Sequence, residues 1–232
     1  MAAGSTYIYY TKGTATNEKI GTFSFWVKKC ENGGNRGIWQ TYTGASDRCV
    51  LYWTGTDALG LYGLGTTSAV NLTTSKLFRD VGAWYHVVVA IDTTQTTDTD
   101  RVKIYVNGIQ ETSFSSTSYP AEDGVLKMLG SSTVEAISRD GGDDSYNFNG
   151  CLSHINRIDG TAYAASDFGE TDSTSGIWKI KAGPSVTYGT NGYFLKFEDS
   201  SNMDLDSSGN ALSFTTSGTL TATKDNPSNN FC

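Results

Sequence analysis

The stretch Arg101-Val102-Lys103-Ile104-Tyr105-Val106-Asn107-Gly108-Ile109-Gln110-Glu111-Thr112 alternates apolar and polar residues up to an Asn-Gly pair, then resumes. Val102, Ile104 and Val106 share one face, the period-2 pattern of a half-buried strand. Asn-Gly between two such runs specifies a two-residue type I′ hairpin, because both turn residues need positive φ. An antiparallel hairpin is therefore the seed from which the rest of the fold is read.

Upstream, two more strands follow the same logic. Over 22–29, Phe23, Phe25 and Val27 fall on one face, with Thr22, Ser24 and Lys28 on the other. Trp26 interrupts that polar face, which predicts a strand covered on both sides or lying beneath a loop. Over 84–91 both faces are apolar, which places the strand inside a sheet and not at its edge. Residues 92–100 contain no apolar side chain and read as an exposed loop, as do residues 140–144. Downstream, 192–198 alternates with Tyr193, Leu195 and Phe197 on one side, and 211–214 and 219–223 are weaker strand candidates. A helical turn or two around 162–168 is the only helix expected.

Composition agrees. Charged residues make up 18% of the chain, below the roughly 25% of an average soluble domain. Hydroxyls take their place, with 31 Thr and 25 Ser. Ala, Leu, Glu and Lys are too scarce for long helices, and aromatic residues recur along the whole chain, which excludes charge-driven disorder. Thr, Tyr, Phe, Val and Trp form strands, while Gly, Asn, Asp and Ser make turns. The expected fold is all-β: two antiparallel sheets packed as a jelly-roll sandwich. No Pro-rich linker divides the 232 residues, so 1–232 reads as one domain, with 161–232 as an extension on the same core.

Charge and cysteine usage narrow the partners. The formal charge is -7, and no basic cluster exceeds the pair Lys28-Lys29, which argues against a groove for nucleic acid. No apolar run approaches the ~20 residues of a membrane helix. The N-terminus shows no basic and apolar signal segment, so synthesis in the cytoplasm is expected. Cys30, Cys49, Cys151 and Cys232 lack zinc-like spacing and are expected to be reduced.

Four segments in order then resemble a family. They are Thr22-Phe23-Ser24-Phe25-Trp26-Val27-Lys28, Trp84-Tyr85-His86-Val87-Val88, Lys103-Ile104-Tyr105-Val106-Asn107-Gly108 and Phe148-Asn149-Gly150. Together they resemble the laminin-G-like branch of the concanavalin A-like lectin/glucanase superfamily. Further segments resemble proteins of tailed phages, many of them marine: Phe168-Gly169-Glu170-Thr171-Asp172, Gly176-Ile177-Trp178 and the run from Tyr188 to Tyr193. Asp206-Ser207-Ser208-Gly209-Asn210 and the run from Asp225 to Phe231 add to this likeness. In such relatives the unit is often embedded in a longer polypeptide, whereas this chain reads as a free-standing version. The Asp-x-Ser-Gly-Asn element usually lies early in such units. At 206–210 it marks either C-terminal strands standing in for N-terminal ones or a plain surface turn.

The superfamily includes glucanases, whose retaining chemistry needs two carboxylates about 5–5.5 Å apart. The seven Glu of this chain form no Glu-x-Asp-x-x-Glu strand, and the adjacent pairs Glu122-Asp123 and Glu198-Asp199 would point to opposite faces of a strand. His86 lies in a core strand without a Ser or Asp motif and reads as a hydrogen-bonded structural residue. No enzyme is expected.

Relatives often bind calcium at end loops. The local candidate is 204–210, with Asp204, Asp206 and Asn210 as oxygen ligands ahead of or beside Gly209. Asp140, Asp143 and Asp144 form a second cluster. The same residue types also make ordinary turns. Trp39, Tyr42, Tyr52, Trp53 and Tyr62 are the aromatic candidates for stacking on sugar rings, and alternation alone does not say which are exposed.

The resemblance implies a non-enzymatic virion protein at the particle surface, of the capsid-decoration or head-fibre kind, made in the host cytoplasm. Its partners would be neighbouring capsid or tail proteins, in a symmetric homo-oligomer, expected to be a trimer. The alternative is a lectin-like adhesin of a tail fibre or tail tip that binds host-surface glycans, with calcium as its implied cofactor.

Overall fold

The computed structural model describes residues 6–65, 68–139, 141 and 146–227. The acidic cluster Asp140, Asp143 and Asp144 lies outside the described residues. Along the chain come β1 (Tyr7–Thr11), β2 (Ile20–Lys29), β3 (Arg36–Gly44), β4 (Asp47–Trp53), β5 (Ala58–Leu64) and β6 (Val70–Leu77). Next, β7 (Trp84–Asp92) leads through the single turn α1 (Asp98–Arg101) into β8 (Val102–Val106), β9 (Ile109–Glu111) and β10 (Phe114–Ser118). Then follow β11 (Val134–Ile137), β12 (Gly150–Asp159), β13 (Gly169–Thr171), β14 (Trp178–Ile180), β15 (Tyr193–Leu195) and β16 (Thr215–Ser217).

Two sheets make the sandwich. One has eight strands in the order β10-β6-β5-β4-β3-β11-β1-β16, the other six in the order β15-β12-β2-β7-β8-β9. Strands β13 and β14 form a separate two-stranded ribbon. The fold class read from the sequence is the one observed: all-β, antiparallel and two-layered.

The seed hairpin joins β8 to β9, with Val106 opposite Ile109. Asn107 has φ 51° and Gly108 φ 80°, as a type I′ turn requires. Gly108 is needed twice over, because a Cβ there would run into the indole of Trp178. Strand β7 lies between β2 and β8, inside its sheet, as its two apolar faces predict.

The inner faces interlock around Phe23, Phe25, Trp39, Leu51, Leu61, Val87, Val89, Ile104 and Tyr193, all essentially inaccessible to water. Trp39 is the hub: the ring of Phe23 meets it edge-on at 4.8 Å and Tyr193 stacks at 5.9 Å. A buried polar network crosses this core. Arg157 Nε on β12 donates to Glu135 Oε2 on β11 at 3.0 Å, and Tyr193 Oη donates to Glu135 Oε1 at 2.7 Å. Both partners of the ion pair are fully enclosed. Lys12 Nζ, also buried, donates to Thr41 Oγ1 and to the carbonyls of Lys127 and Met128. Within so little water, charges persist only when paired and fully hydrogen-bonded. This network therefore fixes how the two sheets register.

Trp26 is covered, as its place on a polar face predicts. It stacks on His86 at 4.9 Å, and residues 161–190 spread over the same outer face. There Ala165 and Phe168 pack against Val88 and Ile158. The expected helix is one 3-10 turn at Ala165–Asp167.

Three expectations needed correction. The alternation over 192–198 continues as strand only to Leu195, because Phe197 turns to φ 61°. Residues 211–214 are not a strand, since Ala211 has φ 54°; the pairing segment is β16, which adds to β1. Residues 219–223 form no strand either, and the chain beyond them is tied down by Asp225, which accepts from Lys28 Nζ at 2.6 Å and Trp84 Nε1 at 2.9 Å. Loop 92–100 contains the start of α1, which no apolar period announced. Arg101 gathers that loop by donating to the carbonyls of Gln95, Thr96 and Pro120. Cys30, Cys49 and Cys151 are free thiols. Among the described residues, no helix is long and apolar enough to cross a membrane.

Candidate functional site

Alternation along β3, β4 and β5 separates the five aromatic candidates. Trp39 and Trp53 point inward and are 0% and 1% exposed. Tyr42, past the register shift at 37–39, takes the opposite parity to Trp39, and Tyr52 and Tyr62 the opposite parity to Leu51, Trp53, Leu59 and Leu61; all three stand half-buried on the outer face of the eight-stranded sheet. Tyr42 is opposite Arg48, and Tyr62 is opposite Val50 and Asn71. Tyr52 has glycine on both sides, Gly37 on β3 and Gly60 on β5. Its ring lies across Gly60, where a Cβ would meet Cε1 at 2.6 Å. The missing side chain lets the phenol lie flat on the sheet.

Arg48 was not among the sequence candidates. Its guanidinium lies 5.5 Å from the centroid of Tyr62, a cation–π distance. The signal for it was present, since Arg48, Val50 and Tyr52 alternate with Cys49, Leu51 and Trp53. Gln40 is held at one side of the face by Gly141, each donating to the other's carbonyl or amide oxygen. At the near end, Lys127 and Thr43 both bond to Asp47 and hold its carboxyl below the usual range. Aromatic rings lying on the sheet, with amide and guanidinium donors beside them, can stack on the C–H face of a sugar and bond its hydroxyls.

The carboxylates are committed elsewhere. Glu135 belongs to the core network, Glu18 accepts from Ser131 N, and Glu31, Glu111, Glu122, Glu170 and Glu198 pair with Arg36, Lys76, Arg101, Lys179 and Lys196. His86 is fully buried, and burial pushes its pKa down to about 3, with His154 adding to the shift. It is a structural residue, as expected.

The calcium candidates Asp204, Asp206 and Asn210 turn to separate partners within the chain. Asp206 Oδ1 accepts from Phe194 N and Ser208 N, and Oδ2 from Ser208 Oγ and Leu212 N. Asp204 accepts from Thr216 Oγ1, and Asn210 donates to the carbonyls of Gly189 and Gly192. A carboxylate with four protein donors leaves no oxygen directed at a cation, so these residues fit a turn and not a calcium ion. Among the described residues, no group of three or more His, Cys, Asp or Glu is placed to hold a metal.

Two sheets face to face, an aromatic core and an open tyrosine face define a lectin-like jelly-roll sandwich. The sequence profile of the concanavalin A-like lectin/glucanases superfamily matches residues 2–162, and the chain belongs to that family. No curated protein sequence matches it. Among solved structures, a putative carbohydrate binding protein from Bacteroides ovatus ATCC 8483 superposes with a TM-score of 0.55 at 17% identity. That match covers 96% of this chain and 61% of the Bacteroides protein. The native heptameric SAP-like pentraxin from Limulus polyphemus gives 0.49 at 16% identity, over 71% of this chain and 74% of that one. Full-length tailspike protein 2 from Escherichia coli O157:H7 bacteriophage CAB120 gives 0.48 at 12% identity, over 70% and 22%. At such identities the likeness speaks to the fold alone.

Proposed function

We propose that this chain is a non-catalytic binding module whose tyrosine face takes an extended glycan. One observation carries the reading: Tyr42, Tyr52 and Tyr62 meet on one outer face, beside Arg48, while the two tryptophans go to the core. The three tyrosines sit on adjacent strands at successive two-residue levels, so two inter-strand spacings and one two-residue step, roughly 12 Å, separate Tyr42 from Tyr62. That is comparable to two linked pyranose rings. Family membership and the fold shared with a putative carbohydrate binding protein support the reading. Titration of the purified chain with a soluble oligosaccharide panel tests it. Saturable binding that Tyr62→Ala weakens at least tenfold, and Tyr62→Phe largely keeps, is expected; absence of saturable binding across the panel overturns it.

The segments that resemble tailed-phage proteins support a place on a virion surface, with the module facing host glycans. A second reading, assembly onto a capsid or tail through protein–protein contacts, is favoured by Ile109, 68% exposed on the edge strand β9. Mass spectrometry of purified particles distinguishes capsid copy number from tail copy number. Light scattering on the purified chain tests the trimer.

A further inference from the structure

On the opposite side of the sandwich a cavity of about 330 Å³ opens between β7, β8 and residues 162–164. Its floor is Ala90 on the outer face of β7, the same face that carries Trp84, His86 and Val88. Among those larger side chains, the single methyl leaves a hollow. Tyr105 and Tyr163, both half-buried, line it, and Asp92, Gln95, Asp100 and Lys103 surround it.

The bonds already made within this lining hold its polar groups in place without using them up. Asp92 Oδ1 accepts from Thr94 N and Thr94 Oγ1, and Oδ2 accepts from Gln95 Nε2 at 2.6 Å. Lys103 Nζ lies 3.0 Å from Asp100 Oδ1. Tyr163 Oη accepts from Thr187 N at 3.0 Å, which fixes the ring against the sheet. An ammonium has three N–H donors and a carboxylate about four lone-pair positions, so both Lys103 and Asp100 keep capacity for a ligand. The Asp100–Lys103 pair is internally neutral, which removes the demand for a charged ligand at that end.

We propose that this cavity is a second ligand site, separate from the tyrosine face, that takes a single hydroxyl-rich ring such as one monosaccharide unit. Vicinal hydroxyls both donate and accept, which suits a neighbouring carboxylate and ammonium. The C–H face of the ring suits a tyrosine wall. The volume is at the small end of ligand pockets, roughly 300–1,000 Å³, and so fits one ring and not a chain. The two sites lie on opposite faces, so one chain would engage two sugars at once, and linked ligands would gain by effective concentration.

An amide-resolved NMR titration with methyl α-D-glucopyranoside, methyl α-D-galactopyranoside and methyl α-D-mannopyranoside tests the site. Saturable shifts at amides of residues 92–105 and 162–164 are expected with at least one glycoside. Lys103→Ala, a partly exposed position, should weaken that binding at least tenfold, as should Tyr105→Ala, while Tyr62→Ala leaves it unchanged. No saturable shift at these amides with any glycoside, or equal shifts in Lys103→Ala, overturns the proposal. So does tetramethylammonium shifting the same amides when no glycoside does.

Discussion

Trp178 reaches across the outer face of the six-stranded sheet and donates its indole N–H to Nδ1 of His86 at 3.0 Å. Because Nδ1 accepts, the neutral ring carries its proton on Nε2 and donates it to Ser24 Oγ, also at 3.0 Å. The imidazole stacks on Trp26 at 4.9 Å, and Trp178 lies at its edge, nearly parallel, with ring centroids 5.9 Å apart. This one residue joins the seed region of the fold to a segment about ninety positions further on.

Trp178→Ala should lower stability by about 2–3 kcal/mol, less than a fully buried tryptophan because Trp178 is half-exposed. Urea unfolding followed by far-UV circular dichroism measures it. Trp178→Phe should fall between the two, since it keeps part of the ring contact but leaves Nδ1 without its donor. Equal midpoints for all three proteins would show that Trp178 contributes nothing to the sandwich.

Acid should destabilise the fold through its histidines. Burial lowers His86 to about 3 and His154 to about 4, whereas both titrate near 6.5 in the unfolded chain. The unfolded chain therefore binds protons first as pH falls. Stability present above pH 6.5 is lost steadily toward pH 3, with His86 accounting for about 3–5 kcal/mol. Melting midpoints recorded from pH 7 to pH 4 should drop, and the drop should be smaller in His86→Gln once its own lower baseline is subtracted.

On the alkaline side the same cause acts in the same direction. Burial lowers Lys12 to about 7, while an unfolded lysine titrates near 10.5. Between these values the unfolded chain holds a proton that the folded one has released, so stability rises with pH, by on the order of 3 kcal/mol between pH 7 and 10. Above pH 10 it falls again, because burial raises Tyr10 and Tyr193 well above the usual range. Chemical denaturation at pH 7, 8.5 and 10 should show the rise, and Lys12→Met should flatten it.

The Arg157–Glu135 pair should punish single changes more than double ones. Arg157→Met or Glu135→Gln each leaves a group unpaired in a water-free core, at a cost of about 3–5 kcal/mol. The double variant should cost clearly less than the sum. A double-mutant cycle by urea unfolding checks this, and strict additivity would mean that the two side chains do not act as a unit.

The strands nearest the seed hairpin were legible because their information is local. Alternation over 22–29, doubled apolarity over 84–91 and the Asn107-Gly108 turn each report on a few neighbouring residues. Prediction weakened beyond residue 190, where Phe197 and Ala211 adopt positive φ. No side-chain pattern encodes those backbone turns. The candidate site was half legible for a similar reason. The aromatic residues of β3–β5 were visible in the sequence, but apolar residues occupy both faces of those strands, and parity alone does not say which face is covered.

The sequence by itself determined an antiparallel all-β sandwich, a hairpin at Asn107-Gly108, a central strand over 84–91 and the family. The first three follow from periods of two residues and from backbone angles that few residue types adopt; the family follows from the likeness of ordered segments and the match over residues 2–162. Tertiary structure decided what distant residues become for one another. It sent Trp39 and Trp53 inward and Tyr42, Tyr52 and Tyr62 outward. It turned Asp206 onto its own backbone, and laid residues 161–190 across Trp26 and His86. Burial and partnership are properties of the packed whole, and a chain read one residue at a time carries them only as alternatives.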